Sequence, residues 1–214
     1  MRLLLVRHGT TLNNAQQRYT GQSDIPLSEL GERQVAALAD RLATESFDCI
    51  VTSDLRRAFA TAEVIAAGHD VPLRREPALR EISMGEWEGR TREEVIAVAP
   101  REHERWHADP VHHAPPGGET IAQVRDRLAK ALERSYDAYP ESTVLWVTHG
   151  GVIGILLCHL LGMDLNRRWQ FRRDNASITE LEIAPDYAII HRTNDTLHLR
   201  GIMSPDLAEA TQIL

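Results

Sequence analysis

Cysteine is nearly absent: Cys49 and Cys158 are the only two in 214 residues, and each sits in an apolar stretch. That excludes a disulfide framework and suits buried free thiols in a reducing compartment, so the expected location is the cytoplasm. No run approaches the ~20 consecutive apolar residues of a membrane-spanning helix, and the first apolar run, at 3–6, is too short and wrongly flanked for a signal peptide. No membrane partner is expected. Positive charge is also scarce: 24 Lys and Arg against 31 Asp and Glu leave a formal net charge of −7, the opposite of the basic faces that bind phosphate backbones. Nucleic acid is therefore not an expected partner, although small anions can bind wherever basic residues converge. No Gly-x-x-x-x-Gly-Lys or Gly-x-Gly-x-x-Gly element follows any apolar run, which argues against nucleotide and dinucleotide binding.

What is present is one junction that occurs twice. Leu3-Leu4-Leu5-Val6 empties into Arg7-His8-Gly9-Thr10-Thr11, and Val144-Leu145-Trp146-Val147 empties into Thr148-His149-Gly150-Gly151. In open α/β sheets the crevice outside the carboxyl ends of the strands is where ligands bind, and a glycine there lets the chain turn sharply. Two imidazoles are expected on one rim.

Around these junctions strand and helix patterns alternate. Strands are predicted at 3–7, 47–51, 72–75 and 143–148, the third at an edge because Pro72 cannot donate to a ladder. Helices are predicted after Ser28 as N-cap, from Ser53-Asp54, at 91–99 ended by Pro100, at 119–139 and at 152–161. Residues 101–118 read as irregular loop with a short helical turn. A hairpin at 178–183 and 188–190 closes the pattern. The alternation predicts parallel βαβ units: an α/β fold, a three-layer α/β/α sandwich with a mostly parallel central sheet, in a single domain over residues 1–214. The 152–161 helix and the terminal hairpin offer apolar surface on which a homodimer could form.

Arg7-His8, Arg56-Arg57, Glu81 and His149 all fall just after apolar runs or at strand-to-helix turns. Together they suit phosphoryl transfer. A neutral imidazole is a competent nucleophile toward phosphorus and splits hydrolysis into two easier displacements. Arginine forks match phosphate oxygens and neutralise equatorial charge. An alkoxide is a poor leaving group near neutral pH, so a carboxyl such as Glu81 must supply a proton.

Leu5-Val6-Arg7-His8-Gly9-Thr10-Thr11 with Asn14, then Gly21, Asp24, Pro26-Leu27-Ser28 and Gly31, resemble the signature of the histidine phosphatase superfamily, the phosphoglycerate mutase-like proteins. The likeness continues in order through Ser53-Asp54-Leu55-Arg56-Arg57-Ala58, Leu79-Arg80-Glu81-Ile82, Trp87-Glu88-Gly89, Pro116-Gly117-Gly118-Glu119 and Thr148-His149-Gly150-Gly151. The resemblance implies that His8 is the phosphorylated nucleophile, that Arg7, Arg57 and His149 surround the transferred group, and that Glu81 is the general acid and base. It selects Arg57 through the pattern Ser, any, Leu, any, Arg, Ala, leaving Arg56 as a solvated neighbour. Asn14, Thr20, Gly21 and Gly150 match positions that touch the substrate or its phosphoryl group in relatives. The family needs no metal and no cofactor, and its partner is a small phosphorylated metabolite.

Within the superfamily the segments lean toward water rather than a sugar acid as phosphoryl acceptor. Mutases resemble one another in Glu-Ser after the His-Gly pair and in Glu-Arg-His-Tyr-Gly around the acid; here Thr10-Thr11 and Glu81-Ile82-Ser83-Met84-Gly85 stand instead. The whole length is similar to the phosphatase branch, including broad-specificity, α-ribazole and metal-independent phosphoserine phosphatases. A 2,3-bisphosphoglycerate-dependent mutase and a non-catalytic binder of a phosphorylated ligand are the alternatives. His69, His103, His159 and His191 read as structural. His107, His112 and His113 lack zinc-site spacing and read as solvated or as part of a lid over substrate. Glu119 reads equally as a helix cap or a site residue, Trp87 and Trp106 as core or mouth, and Asn175-Ala176-Ser177 as a turn near the cavity. His107, Arg167, Arg172 and His198 are the candidates to reach the leaving group.

Overall fold

The computed structural model describes residues 1–202; the last 12 residues of the expected domain lie outside the described residues. Six strands form one sheet: β1 (Arg2–Arg7), β2 (Cys49–Thr52), β3 (Leu73–Arg75), β4 (Thr143–Thr148), β5 (Ile178–Ile183) and β6 (Ala188–Asp195), in the order β3-β2-β4-β1-β5-β6. The pairs β3/β2, β2/β4 and β4/β1 are parallel, whereas β5 runs antiparallel to β1 and pairs antiparallel with β6. The helices are α1 (Leu12–Ala15), α2 (Glu29–Leu42), α3 (Arg56–Ala66), α4 (Arg92–Val98), α5 (Pro100–Ala108), α6 (Ile121–Ala138) and α7 (Gly150–Leu160).

Successive side chains of a strand face opposite sides, and the core divides accordingly. Leu3, Leu5, Cys49, Val51, Val144 and Trp146 pack with α6 and α7, while Leu4, Val6, Ile50, Leu145 and Val147 pack with α2 and α3. That is a three-layer sandwich with a mostly parallel sheet. A third, small cluster of Tyr19, Met84, Trp87 and Val95, with Ile82 and Trp106 against it, stands apart over the carboxyl ends of the strands. Among the described residues no helix is long and apolar enough to cross a membrane.

Three expectations need correction. Residues 100–108 are helix α5 rather than loop, because Pro100 does not merely stop the preceding helix: it occupies the first turn of the next, where its missing N–H costs nothing. The helix expected from Ser53-Asp54 starts at Arg56; Ser53 Oγ accepts from the Leu55 N–H in the connecting turn, and the N-cap position falls to Leu55. The apolar helix near 152–161 is mostly interior rather than surface: Val152 to Cys158 are buried in this chain's own core, while Leu161 is exposed. A helix that is apolar all round is an interior helix.

Candidate active site

Strand register brings the two histidines together. In the parallel β1/β4 pair Arg7 lies opposite Thr148, so His8 and His149 leave the sheet side by side. Neighbouring strands are roughly 4.8 Å apart, and the two rings sit with centroids 5.1 Å apart at 60°. Thr52 of β2 pairs with Val147 of β4, which delivers Ser53 to the same rim. His8 is 3 % exposed, Arg57 1 % and His149 0 %.

The tautomer of His8 is fixed by its partners. Nδ1 meets the Gly9 carbonyl at 2.7 Å and therefore carries the proton, and Arg57 Nε donates to Nε2 at 3.2 Å. The lone pair on Nε2 is thus the outward, reactive one. Burial, then the Arg57 and Arg7 guanidinium charges, hold His8 well below the ordinary imidazole range, so the ring is neutral at physiological pH. His149 is lowered in the same way, first by burial and then by Arg57. Its Nε2 lies 2.8 Å from Ser53 Oγ, while its Nδ1 is buried without a partner among the described residues. Arg7 Nε is likewise a buried polar atom without a partner among the described residues. Both atoms belong to residues next to His8, whose ring lies against His149 and feels the Arg7 charge.

Arg57 is held from behind. Its Nη1 and Nη2 donate to the carbonyls of Ser23 (2.9 Å) and Gly21 (2.8 Å), and Gly21 reaches that pose at φ +50°, which favours glycine. Glu88 braces the same loop by accepting from Gln22 N–H (2.8 Å) and Ser23 Oγ (2.6 Å). Burial lowers both Arg7 and Arg57 to about 10, still cationic at neutral pH.

Glu81 faces the histidines from a separate segment. Its carboxylate accepts from the Ile82 N–H (2.9 Å) and the Gly151 N–H at the start of α7 (3.0 Å). Its carbonyl is clamped by Gln22 Nε2 and Arg127 Nη2, both at 3.1 Å. Glu119 completes this layer by pairing with Arg127 (3.0 Å) and accepting from Ser83 N–H (2.9 Å) and Gln22 (3.2 Å). Glu119 is therefore not the cap of α6, which is Thr120.

These residues open on a cleft of about 210 Å³ whose lining also includes Thr10, Asn14, Thr20, Gly21, Gly150, Asn175, Tyr19, Ile82, Met84, Trp106, Arg168 and Arg173. All nine residues named from the sequence, Arg7, His8, Asn14, Thr20, Gly21, Arg57, Glu81, His149 and Gly150, thus converge, His149 beneath His8 and the other eight on the cleft wall. Asn14 Oδ1 is engaged by Thr11 and Asn175, and Gly150 lets Arg7 lie flat on the first turn of α7. Arg56 is exposed. None of His107, Arg167, Arg172 and His198 lines the cleft; the neighbours Arg168 and Arg173 do. His112 and His113 pair with Asp109 at 2.9 and 3.8 Å away from it, and among the described residues no group of three His, Cys, Asp or Glu could hold a metal ion. The layer of Gln22, Glu119 and Arg127 had no local sequence signal beyond Glu119.

A neutral imidazole aimed into an anion-hungry cleft, with a carboxyl opposite, defines a phosphomonoester hydrolase of the covalent-histidine type. The model of the histidine phosphatase superfamily (branch 1) matches residues 3–196, and the chain belongs to that superfamily. It is 35% identical over 199 residues to phosphoserine phosphatase 1 of Hydrogenobacter thermophilus, covering 93% of this chain and 94% of the relative. It is 37% identical over 186 residues to a Cronobacter sakazakii protein named "Probable phosphoglycerate mutase GpmB", covering 85% of each. Among solved structures, the α-ribazole phosphatase of Shigella flexneri superposes with a TM-score of 0.85 at 29% identity, covering 92% of this chain and 97% of that one.

Proposed function

We propose that this protein is a cytoplasmic phosphatase that hydrolyses phosphomonoesters of small metabolites through a phosphohistidine on His8, with phosphoserine as a candidate substrate. The observation that carries the reading is a neutral, tautomer-locked His8 flanked by the Arg7 and Arg57 guanidinium groups, with Glu81 lining the same cleft. The two buried free thiols support a reducing compartment.

An arriving phosphoryl group takes the Arg57 N–H that now rests on His8 Nε2, which frees the lone pair. Nε2 attacks phosphorus, the P–N bond forms and the ester P–O bond breaks; Glu81 passes its proton to the departing alkoxide oxygen. The ring becomes cationic on phosphorylation, and the Nδ1–H to Gly9 bond strengthens as it does. Glu81, now a carboxylate, removes a proton from water; the oxygen attacks phosphorus, the P–N bond breaks and its electron pair returns to Nε2. Arg7, Arg57 and His149 hold the equatorial oxygens throughout.

Beyond Glu81 the wall is built from Ile82, Met84, Tyr19 and Trp106. The test is release of inorganic phosphate from p-nitrophenyl phosphate and from a panel of phosphorylated metabolites, with and without EDTA. Turnover that survives EDTA and disappears in His8→Ala supports the reading. Conversion of 3-phosphoglycerate to 2-phosphoglycerate in the presence of 2,3-bisphosphoglycerate, faster than phosphate release, would instead make it a mutase.

A further inference from the structure

The steps above give His149 a contact with the phosphoryl oxygens and leave Ser53 without a task. Ser53 is fully buried and does not line the cleft. Its backbone is pinned at the end of β2, where its N–H donates to the Val147 carbonyl of β4 at 3.0 Å and its own carbonyl accepts from Thr52 Oγ1 at 3.0 Å. Ser53 Oγ thereby lies 2.8 Å from His149 Nε2. Two neighbouring strands deliver a hydroxyl to an imidazole.

The direction of that bond follows from counting hydrogens. A serine hydroxyl has one hydrogen and two lone pairs, and a neutral imidazole has one N–H and one lone pair. The Leu55 N–H, at 3.3 Å, takes one lone pair of Ser53 Oγ, and His149 Nε2 is the other partner of Oγ among the described residues. Were Nε2–H the donor, the serine hydrogen would be buried with no acceptor, which costs free energy. With Ser53 as the donor its hydrogen is used, Nε2 contributes its lone pair, and the imidazole proton stands on Nδ1. Nε2 is then occupied. A nitrogen contact between His149 and a phosphoryl group on the His8 ring, whose centroid is 5.1 Å away, therefore runs through Nδ1 and has Nδ1–H as donor. The opposite tautomer would turn a lone pair toward anionic oxygens.

We infer that Ser53 is a positioning residue that fixes the tautomer of His149, so that His149 meets the phosphoryl group as a hydrogen-bond donor without first moving a proton. The inference deepens the phosphatase reading above and rests on it. The charged and titratable groups that bear on His149 are Arg57, His8, Arg7 and Arg127, none of them an anion. The Glu81 carboxylate, at the first turn of α7, is taken up by the Ile82 and Gly151 N–H groups. Among the described residues Ser53 alone makes a hydrogen bond to the His149 ring.

The tautomer is read in the unaltered protein by long-range ¹H–¹⁵N correlation of the His149 ring, assigned through its backbone amide. The expected pattern is a protonated Nδ1 and an unprotonated Nε2, and loss of that single tautomer in Ser53→Ala. The consequence for turnover is the ratio of kcat in Ser53→Ala to kcat in the parent on p-nitrophenyl phosphate, followed across pH. At pH 8 the variant is expected to lose about tenfold to a hundredfold, somewhat less than outright removal of a donor to a developing anion. At pH 5.5 the loss should shrink by about threefold or more, because an imidazolium, favoured by a bound phosphoryl dianion, carries N–H at both nitrogens and needs no serine to choose between them. A merely structural role predicts a loss that does not change with pH. A protonated Nε2 in the parent, or a kcat ratio that stays flat from pH 8 to pH 5.5, would overturn the role of Ser53 while leaving the phosphatase standing. Failure of the parent to release phosphate from p-nitrophenyl phosphate would overturn the phosphatase reading, and this inference with it.

Discussion

The two ends of the cleft are built differently. At the phosphoryl end the groups around His8 leave the carboxyl ends of strands or the turns just beyond them, Glu81 excepted: His8 from β1, Ser53 and Arg57 after β2, His149 and the α7 amides after β4. Backbone bonds lock these groups, and close packing admits no side chain where Gly31 passes the Thr10 carbonyl. At the leaving-group end the wall is Tyr19, Ile82, Met84, Trp106, Arg168 and Arg173, drawn from separate loops, turns and α5. Sheet register fixes where phosphorus must sit; loop content decides what is attached to it. That division is how one fold supports one reaction on many esters.

Substitutions at the two ends should differ in kind. The largest effect belongs to His8→Ala, for which kcat is expected to fall by roughly four orders of magnitude or more on every ester, since removal of a covalent nucleophile abolishes both half-reactions; steady-state phosphate release measures it. Glu81→Gln is expected to cost roughly a hundredfold on alkyl esters and much less on p-nitrophenyl phosphate, whose leaving group needs little proton assistance. Equal losses on both would remove Glu81 as the proton donor. Trp106→Ala, at the other end, is expected to raise KM by about tenfold with a smaller change in kcat, as lost apolar contact with the leaving group.

Stability separates the ends as well. Gly31→Ala puts a Cβ against backbone at the Thr10 carbonyl and should cost about 1–3 kcal/mol in urea unfolding, although alanine is the better helix former at an open position. The smallest effect is a pH dependence. His8 and His149 titrate well below the unfolded imidazole value near 6.5, so below that pH the unfolded chain takes up protons that the native state refuses. Stability is therefore full above pH 6.5 and falls as pH drops toward the depressed values. His8→Asn should flatten that fall by up to roughly 1.4 kcal/mol per pH unit, read from unfolding midpoints between pH 7 and 5 in phosphate-free buffer.

The phosphoryl end was legible in the sequence because its signals are local. Arg7-His8-Gly9 and Thr148-His149-Gly150 each announce a strand end, and the superfamily pattern picked Arg57 over the exposed Arg56. The alternation of apolar runs also sufficed for the sandwich and its antiparallel edge. The leaving-group end was not legible, for physical reasons. α5 was hidden because Pro100 terminates one helix while starting the next. The arginine doublets 167–168 and 172–173 were visible as charge, but a 3₁₀ turn and an irregular link decide which member of each faces the cleft, and no periodicity encodes that. The start of α3 was misplaced because Ser53, a residue type that caps helices, serves the turn and His149 instead.

The most direct measurement is rapid quenching of turnover with a ³²P-labelled phosphomonoester, followed by peptide mapping. Acid-labile, base-stable label on the peptide carrying His8, formed and discharged at rates at least equal to kcat, is the expected result. Phosphate release with no label on His8 at any time, or label on another residue, would contradict the covalent route.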